Sequence, residues 1–374
     1  MQGRPRKVLM VINALLPGGA EMQLMHLAEG LADSGHQITL CCMKKAYVDT
    51  ASLQRAGVRI VALDAQNRVE RVLAVPRLVR LARRAEIVHC TIWDASLWGR
   101  IAAILARRPV VVADHATDRS IHTSSKGASR ETWVALHNRL LDPFTFATVA
   151  CAASQRQVLL GEGVAAEKIV YIPNGLPIAE MRDTAAKSPG RAAVGLPEGV
   201  PLVMQIGIFR EEKNQIGALE AVAGVRESGL DVQIAFVGDG WIKPEVEARA
   251  EELGAGWAHF LGTRSDVPAL LPLADVVVQP SLADSMPLTV MEAMAIGVPV
   301  VATEVGDVPS MLEGRAGIVV PPGDQAALEA ALSELLNDPG RRAELGSAGE
   351  EIAATRDSAT MVRSYEDLFE SAAA

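Results

Sequence analysis

The sequence predicts an α/β protein made of two doubly wound domains, each with a parallel sheet covered by helices. Short, almost wholly apolar segments alternate with helical ones, and a stretch rich in Pro, Gly, Ala and Ser at 185–201 interrupts them. Charge divides at the same place, because residues 1–187 carry 24 basic and 16 acidic side chains, whereas residues 188–374 carry 12 and 29. Two bodies with different partners are therefore expected.

Composition excludes several classes of protein. The chain has 374 residues, enough for two domains, and 49% of them are hydrophobic, which excludes general disorder. A net charge of −9 and an aromatic content of 4% argue against nucleic acid as a main partner. No segment approaches the ~18 apolar residues that a membrane span needs, and no export signal is recognised.

The cysteines predict a reducing compartment. None of the four forms a C-x-x-C pair, so zinc and thioredoxin-like sites are not expected. We interpret them as buried thiols of a cytoplasmic protein. They are Cys41, Cys42, Cys90 and Cys151.

The first half begins as strand, helix and strand. A β-branched apolar run predicts a strand at 6–12, periodicity predicts a helix over 17–36 that ends near Gly35, and 37–43 predicts the next strand. The alternation then continues to about residue 174. Strands are predicted at 58–63, 86–90, 109–115, 147–154 and 168–174, and helices at 71–85 and 95–108.

The alternation restarts after the interruption. Strands are predicted at 201–207, 233–240, 258–262, 275–281, 298–303 and 316–322, and helices at 214–229, 244–254, 267–274, 287–297, 324–338 and about 359–370. We therefore expect an N-terminal domain over 1–187, a C-terminal domain over 200–358, and a final helix at 359–374 that packs back on the N-terminal domain.

Ligands of open parallel sheets bind outside the carboxyl ends of strands, so the residues after each strand are the candidates. Gly18 and Gly19 follow the first strand and open a helix. Glycines allow close backbone approach, and a helix N-terminus attracts anions. The spacing is not G-x-G-x-x-G, so no dinucleotide fingerprint is present. A tight turn without a ligand is the alternative interpretation.

Two cations follow the strand at 201–207. Arg210 and Lys213 would suit a diphosphate, because a guanidinium binds phosphate through its fork and an ammonium as a point charge. The alternative is a solvated loop in which both cations pair with Glu211 and Glu212.

Two carboxylates flank the helix predicted after 275–281. Ser285 is interpreted as its cap and Pro287 as part of its first turn, with Asp284 just before it and Glu292 further along. Free N–H groups there would face a phosphate while the carboxylates accept from hydroxyls. Alternatively, Asp284 is a plain cap and Glu292 a salt-bridge partner.

One histidine follows the strand at 109–115. His115, with Asp118 close by, could donate a hydrogen bond to a substrate oxygen from a cleft. A structural histidine with satisfied hydrogen bonds is the alternative.

These places, in this order, resemble glycosyltransferase family 4, the retaining enzymes of the GT-B fold. The motifs are GGAE at 18–21, IPNG at 172–175, G-x-x-x-x-x-K-N at 207–214, VGDG at 237–240, FLG at 260–262, and the Asp284 to Glu292 spacing followed by AMAIGVPVV. The resemblance implies two facing Rossmann-like domains with a cleft between them. The C-terminal domain would bind a sugar nucleotide and the N-terminal domain the acceptor.

The resemblance also implies a role for each candidate. Gly18 and Gly19 would approach the donor diphosphate, which Arg210 and Lys213 would neutralise. Asp284 would contact hydroxyls of the donor sugar, Glu292 would bind the ribose, and His115 would lie against the sugar. Backbone groups of the segment Ser285, Met286, Pro287 and Leu288 would assist at the donor. Family members commonly have Glu at the position of Asp284 and often Arg at that of Ile208.

The implied activity is transfer of a hexosyl-type sugar from a nucleotide sugar, UDP favoured over GDP, to a hydroxyl of a glycan, lipid-linked or small-molecule acceptor. No cofactor is implied besides the donor, and the chain has no D-x-D motif that would indicate a metal. The alternatives are an epimerase or phosphorylase on the same architecture, a two-domain solute-binding protein, and a catalytically silent relative that acts as a partner subunit.

The region Arg68–Arg84 is basic and amphipathic. Arginines alternate there with Val and Leu, a pattern typical of helices that lie on an anionic membrane. It predicts peripheral contact with the inner face of a membrane. The alternative is a solvated face of a helix packed on the core.

Overall fold

The computed structural model describes residues 4–115 and 127–374. The chain forms two compact units. The first comprises the described residues up to Gly175 together with Ser358–Ala374, and the second comprises Leu176–Asp357.

The first unit contains a sheet whose seven described strands are all parallel. The strands are β1 Lys7–Ile12, β2 Gln37–Cys42, β3 Arg59–Ala62, β4 Ile87–Thr91, β5 Val110–Asp114, β6 Ala147–Ala150 and β7 Ile169–Tyr171. Their order is β3-β2-β1-β4-β5-β6-β7, so the chain reverses its direction across the sheet between β1 and β4. The central strands are buried on both faces, which explains their largely apolar sequences.

Helices cover both faces of this sheet. They are α1 Gly19–Asp33, α2 Ala51–Arg55, α3 Arg68–Arg84, α4 Trp93–Ala106, α5 Gly127–Leu141 and α6 Gln155–Gly161. Right-handed crossovers place α1 and α2 on one face and the helices that lead toward β7 on the other. Consistent with this, α3 packs on α4 and α4 on α5.

The second unit repeats this architecture with six described parallel strands. They are β8 Leu202–Ile206, β9 Gln233–Val237, β10 Ala258–Phe260, β11 Val276–Gln279, β12 Val300–Thr303 and β13 Gly317–Val320, in the order β10-β9-β8-β11-β12-β13. Its helices are α7 Ile178–Ala185, α8 Gln215–Glu227, α9 Lys243–Glu252, α10 Val267–Leu270, α11 Leu288–Ala295, α12 Val308–Leu312, α13 Gln325–Asn337 and α14 Pro339–Ala353.

The last helix returns to the first unit. This helix, α15 Ser358–Ala372, packs against α1, where Gly30 leaves no space for a side chain beside Val362. Phe369 is fully buried in the core formed with β1 and β2. The imidazole of His36 lies 3.2 Å from the carboxylate of Glu366. The end of the chain therefore completes the core of the first unit.

The division between the units falls at Gly175, earlier than the boundary at 187 that the sequence predicts. The segment 185–201 looks like a linker by composition, but it is attached to the second unit. The guanidinium of Arg191 lies 2.7 Å from the carboxylate of Asp275 and donates to the carbonyl of Leu273. The arginine anchors this Pro- and Gly-rich segment together with Leu196, whose side chain is buried.

Several helices differ from the sequence-based expectation, and α2, α5, α6, α7 and α12 were not predicted at all. The helix predicted at 267–274 is α10 followed by a tighter turn at Leu271–Leu273, which contains Pro272. Helix α14 was not predicted, although the Asp338 side chain caps it by accepting from the N–H of Arg341. Among the described residues, no helix is long and apolar enough to cross a membrane.

Replacing Phe369 with Ala should destabilise the first unit by about 3–5 kcal/mol, because it removes a fully buried ring from the core. Chemical denaturation followed by circular dichroism measures the change. Glu370→Ala is the matched control on the exposed side of α15 and should shift stability by less than about 0.5 kcal/mol. Equal stability of the two variants would show that α15 is not part of this core.

Candidate functional site

Two glycine-containing loops of the second unit pack backbone to backbone. Gly207 donates to the carbonyl of Val237 at 2.9 Å, and Phe209 donates to the carbonyl of Asp239 at 3.0 Å. A methyl group on Gly240 would overlap the backbone of Phe209, and one on Gly238 would overlap that of Gly207. The VGDG motif thus holds in place the loop that carries both predicted cations.

Arg210 lies on this loop with its guanidinium over an aromatic ring. Its Cζ is 4.9 Å from the ring centroid of Trp241, and one terminal nitrogen is 3.7 Å from the Glu212 carboxylate. The Nε atom is buried without a hydrogen-bond partner in the described structure. The pairing with Glu212, which was the alternative interpretation, is thus present but long, and the contact with the Trp241 ring was not expected from the sequence.

Lys213 is paired with Asp284 across two loops. Its ammonium forms an ion pair with the Asp284 carboxylate, and the two side chains are only 22% and 11% exposed. The other oxygen of Asp284 accepts from the N–H of Ser285 at 2.9 Å. In the part of the chain that the structure describes, neither Glu211 nor Glu212 forms an ion pair with Lys213. The structure therefore brings together two candidates that lie far apart in the sequence.

The segment after Asp284 is held by a neighbouring turn. Gly306 has a φ of +53°, and a side chain there would overlap the carbonyls of Asp284 and Ser285. The N–H of Asp307 donates to the Ser285 carbonyl at 2.8 Å. Close approach of these backbones fixes the position of the Asp284 carboxylate.

The prediction that Ser285 caps the following helix is wrong. Helix α11 begins at Leu288, and Pro287 precedes it with an extended backbone, so Ser285 is too early in the chain to cap it. The helix has no side-chain cap. The N–H groups of its first turn have no acceptor within the helix, a feature that favours an anion at this end.

Glu292 lies on α11, and burial raises the pKa of its carboxyl to about 7. No ion pair to this carboxylate occurs in the described ranges, so the interpretation of Glu292 as a salt-bridge partner is wrong. One turn earlier, the hydroxyl of Thr289 donates to the carbonyl of Ile206 at 3.2 Å and fixes α11 against the end of β8. A half-buried carboxylate without a cation can accept hydrogen bonds from hydroxyls of a ligand.

Gly18 and Gly19 lie at the start of α1 in the first unit. Gly18 is the last residue before the helix, with φ −131°, and no side chain caps the helix. A methyl group on Gly18 would meet the flexible end of the Glu21 side chain, and Gly19 is exposed. The exposed helix start that the sequence predicts is present, whereas the backbone conformation of Gly18 is open to other residues.

His115 directly follows β5 and lines a narrow cavity of about 10 Å³ at the carboxyl ends of the strands. Burial lowers the pKa of His115 to about 4, so the ring is neutral near pH 7. Tyr365 from α15 and Asn174 line the same cavity. The predicted neighbour Asp118 lies outside the described residues.

The IPNG motif connects the end of this sheet to α1. The side-chain amide of Gln23 donates to the carbonyl of Gly175 and accepts from its N–H, both at 3.0 Å. Gln23 is buried, although it lies on a helix next to the exposed start at Gly19. A polar residue at a core position of a helical pattern is the signal that could have identified this contact.

Replacing Gly240 with Ala should separate the two loops, because the added methyl group has only the backbone of Phe209 to meet. We expect a loss of stability of about 1–3 kcal/mol in thermal unfolding. Gly256→Ala is the matched control, because that glycine has open space around it. If the two variants have the same melting temperature, the loops do not need this close approach.

Comparisons with known protein families agree with the two-unit division. Residues 18–175 match the family model described as "Glycosyl transferase 4-like domain". Residues 200–338 match the model described as "Glycosyl transferases group 1". The two matches fall in the first and second units, respectively.

Individual relatives cover most of the chain. The 2-deoxystreptamine glucosyltransferase of Streptomyces kanamyceticus is 27% identical over 78% of this chain and 79% of its own. The phosphatidyl-myo-inositol mannosyltransferase of Mycobacterium leprae is 26% identical over 94% of both chains.

A solved structure shares the fold. The structure of Anabaena Alr3699/HepE, in complex with UDP and glucose, superposes with a TM-score of 0.86 at 23% identity, covering 98% of this chain and 100% of that one. Together, the two family matches, the similar glycosyltransferases and the pair of parallel Rossmann-like sheets show that the chain belongs to glycosyltransferase family 4 and has the GT-B fold, and that it is a transferase acting on nucleotide sugars.

Proposed function

We propose that this enzyme transfers a hexosyl residue from a UDP-sugar to an acceptor hydroxyl with retention of the anomeric configuration. The observation that carries the proposal is the Lys213–Asp284 ion pair, which is shielded from solvent at the carboxyl ends of β8 and β11. A cation and a carboxylate side by side match a donor that presents phosphate and hydroxyl groups together.

The preference for UDP and a hexose is supported by relatives. Alr3699/HepE is solved with UDP and glucose and also with UDP-glucose, and the Streptomyces kanamyceticus relative is a glucosyltransferase. These ligands enter the proposal for this chain as the first donors to test. GDP- and ADP-sugars are the comparison donors.

The diphosphate would bind to Lys213, Arg210 and the first turn of α11. Lys213 would exchange part of its interaction with Asp284 for a phosphate oxygen, and Asp284 would then accept from a sugar hydroxyl. The N–H groups of Met286 and Leu288, on either side of Pro287, lie next to Asp284 in the chain and would assist. Gly18 and Gly19 are assigned to the diphosphate at the exposed start of α1.

Bond cleavage determines where positive charge is needed. As the bond between the anomeric carbon and the phosphate oxygen breaks, negative charge grows on the leaving UDP. Cations and helix N–H groups already in place stabilise this charge without reorganisation. The acceptor oxygen forms its bond on the face that UDP leaves, and its proton passes to a phosphate oxygen of UDP. No protein nucleophile, cofactor or metal enters this mechanism.

His115 has a different role in the proposal. Because its ring is neutral near pH 7, it adds no charge to the reacting centre. It would exchange a hydrogen bond with a hydroxyl of the donor sugar and so orient the ring. Orientation of the sugar contributes to rate by limiting the geometries that must be searched.

The acceptor is proposed to be a hydroxyl of a glycan, a lipid-linked intermediate or a small molecule. A cytoplasmic enzyme that contacts the inner face of a membrane through Arg68–Arg84 would reach a lipid-linked acceptor. Arg77 and Arg80 on α3 are exposed, as such a contact requires.

Lys213→Ala should lower kcat/KM for the UDP-sugar about 100-fold, equivalent to about 3 kcal/mol of transition-state stabilisation. The assay measures release of the nucleoside diphosphate (UDP, GDP or ADP) from UDP-, GDP- and ADP-sugars, first as slow hydrolysis without an acceptor. Lys187→Ala, at an exposed lysine of the same unit, is the matched control and should retain wild-type rates. A folded Lys213→Ala variant with normal rates would contradict the role of Lys213. A wild-type enzyme that releases no nucleoside diphosphate from any of these donors would contradict the activity.

Nucleotide affinity should rise with pH around neutrality. An ionised Glu292 accepts from both ribose hydroxyls, whereas the protonated form does so poorly, so the Kd for UDP should fall about tenfold between pH 6 and pH 8. Titration calorimetry with UDP and 2′-deoxy-UDP measures this. With wild type, 2′-deoxy-UDP should show a weaker pH dependence than UDP, because it lacks one of the hydroxyls that Glu292 accepts from. Glu292→Gln should remove this difference between the two ligands. Titration of the UDP phosphate affects wild type and Glu292→Gln equally, so it does not contribute to the difference between them. Equal affinity of wild type and Glu292→Gln for UDP at pH 8 would contradict the ribose assignment.

Glu292→Gln should weaken UDP binding but stabilise the folded protein above neutral pH. The folded pKa of Glu292, about 7, lies above the ordinary value of 4.5, so ionisation opposes folding. The stability of the wild type should therefore fall as pH rises from about 4.5 through 7. Glu292→Gln should melt a few degrees higher than wild type at pH 8, and this gain should disappear near pH 4.

A further inference from the structure

The helices α3, α4 and α5 form an outer helical layer on one face of the first sheet, and this layer exposes large apolar side chains. Leu73 is 73% exposed, Leu140 61% and Trp133 57%. The full exposed set is Val69, Val72 and Leu73 on α3, Leu105 on α4, Trp133, Leu136 and Leu140 on α5, and Phe144 and Phe146 just beyond it. A water-soluble surface rarely concentrates so many large apolar groups.

The exposed residues form stripes along the helices. On α5, Trp133, Leu136 and Leu140 are three and four positions apart, which places them on one side of the helix. On α3, Val69, Val72 and Leu73 follow the same spacing. Both helices therefore present a second apolar face besides the one packed on the core, where Leu78 and Val134 are buried.

Helix α4 makes the layer continuous, because it lies between α3 and α5 and contacts both. Its described outward side chains are all apolar. Leu97, Ile101 and Ile104 are half-buried and Leu105 is exposed, whereas Trp98 packs against the core and Arg100 is buried against Asn138. The apolar surface thus extends from α3 across α4 to α5.

The exposed charges that the structure describes around this apolar surface are almost entirely positive. The exposed arginines are Arg68, Arg77, Arg80, Arg83, Arg84, Arg107, Arg108 and Arg139. Among the described side chains from Arg68 to Phe146, Glu70 is the one exposed carboxylate. Glu70 serves the capping box of α3 with Asn67. The described part of the layer therefore combines apolar groups with an excess of exposed positive charge.

We propose that the outer helical layer is a docking surface for an anionic lipid bilayer, with the α5 stripe and Phe144 inserted among the lipids and the arginines at the phosphates. Aromatic side chains with arginines are the combination that interfacial binding to anionic lipid requires. A second copy of the chain fits less well, because a two-fold interface through this face would bring the arginines of both copies together. The inference rests on the membrane contact proposed for Arg68–Arg84 and extends it to a surface of three helices.

The test measures binding of the full-length protein to vesicles by co-sedimentation. The vesicles contain either phosphatidylcholine alone or phosphatidylcholine and phosphatidylglycerol in equal parts. The double variant Trp133→Ser/Leu140→Ser removes apolar groups from α5, and Arg77→Glu/Arg80→Glu reverses charge on α3. Tyr47→Ser is the matched control, because Tyr47 is an aromatic of this unit that is 57% exposed but lies outside the layer.

We expect the wild type and Tyr47→Ser to bind the anionic vesicles equally and the neutral ones weakly. Trp133→Ser/Leu140→Ser should bind the anionic vesicles about tenfold more weakly at both low and high salt, because insertion of apolar groups is not screened. Arg77→Glu/Arg80→Glu should lose at least about tenfold, with the larger loss at low salt. Affinity for UDP, measured in parallel without vesicles, should be the same for all these proteins.

Each contrary result has a distinct meaning. If Trp133→Ser/Leu140→Ser binds vesicles like the wild type while Arg77→Glu/Arg80→Glu does not, the three-helix surface is refuted and the α3 contact stands. If the wild type binds no vesicles, both are refuted, and a dimer that Trp133→Ser/Leu140→Ser dissociates would identify a second copy as the occupant. If the wild type does not bind UDP, the proposed transferase site is contradicted and the vesicle result is unaffected.

Discussion

The ion pair between Lys213 and Asp284 is the interaction on which the candidate donor site depends. It joins the loop after β8 to the loop after β11, and both side chains are largely shielded from water. Shielding a charge is costly unless a partner is present, so each residue makes the position of the other tolerable. The two side chains are charged, but the pair that they form has no net charge. A ligand that offers a phosphate to Lys213 and a hydroxyl to Asp284 can replace the pair without leaving either charge alone.

Glycines make this arrangement possible by letting loops approach each other's backbone. Gly238 and Gly240 admit the loop that carries Lys213, and Gly306 admits the segment that carries Asp284. These contacts are between main chains, so a side chain could not be moved aside to relieve a clash. These glycines belong to motifs that suggest ligand contacts in the sequence, and they also hold the loops of Lys213 and Asp284 in position. A ligand-binding role and a packing role for such glycines are compatible.

Periodicity predicted much of the fold, because buried parallel strands are largely apolar. The ends of the strands indicated the candidate site residues, because ligands of parallel sheets bind there. Features that depend on contacts distant in sequence were not predictable. Composition marked 185–201 as a linker, but Arg191 binds it to the second unit through Asp275. The spacing of Ser285 suited a cap, but the extended backbone at Pro287 moves the start of α11. The alternative interpretation, in which Lys213 pairs with nearby Glu211 or Glu212, fails for the same reason, because Asp284 lies 71 residues away in the chain.

The opposite charges of the two halves pose a question about anionic ligands. Residues 188–374 hold 12 basic and 29 acidic side chains, yet this half carries the proposed diphosphate site. Exposed charges farther than about 8–10 Å are largely screened at physiological ionic strength, whereas shielded ones are screened much less. The half-buried Lys213 and Arg210 therefore dominate the potential at the site, and the surplus of carboxylates acts mainly on solubility. In the first unit, by contrast, the arginines of the outer helical layer are exposed, so their effect must be additive and sensitive to salt. In the two proposals, the same residue types thus act at short range in one unit and across a surface in the other.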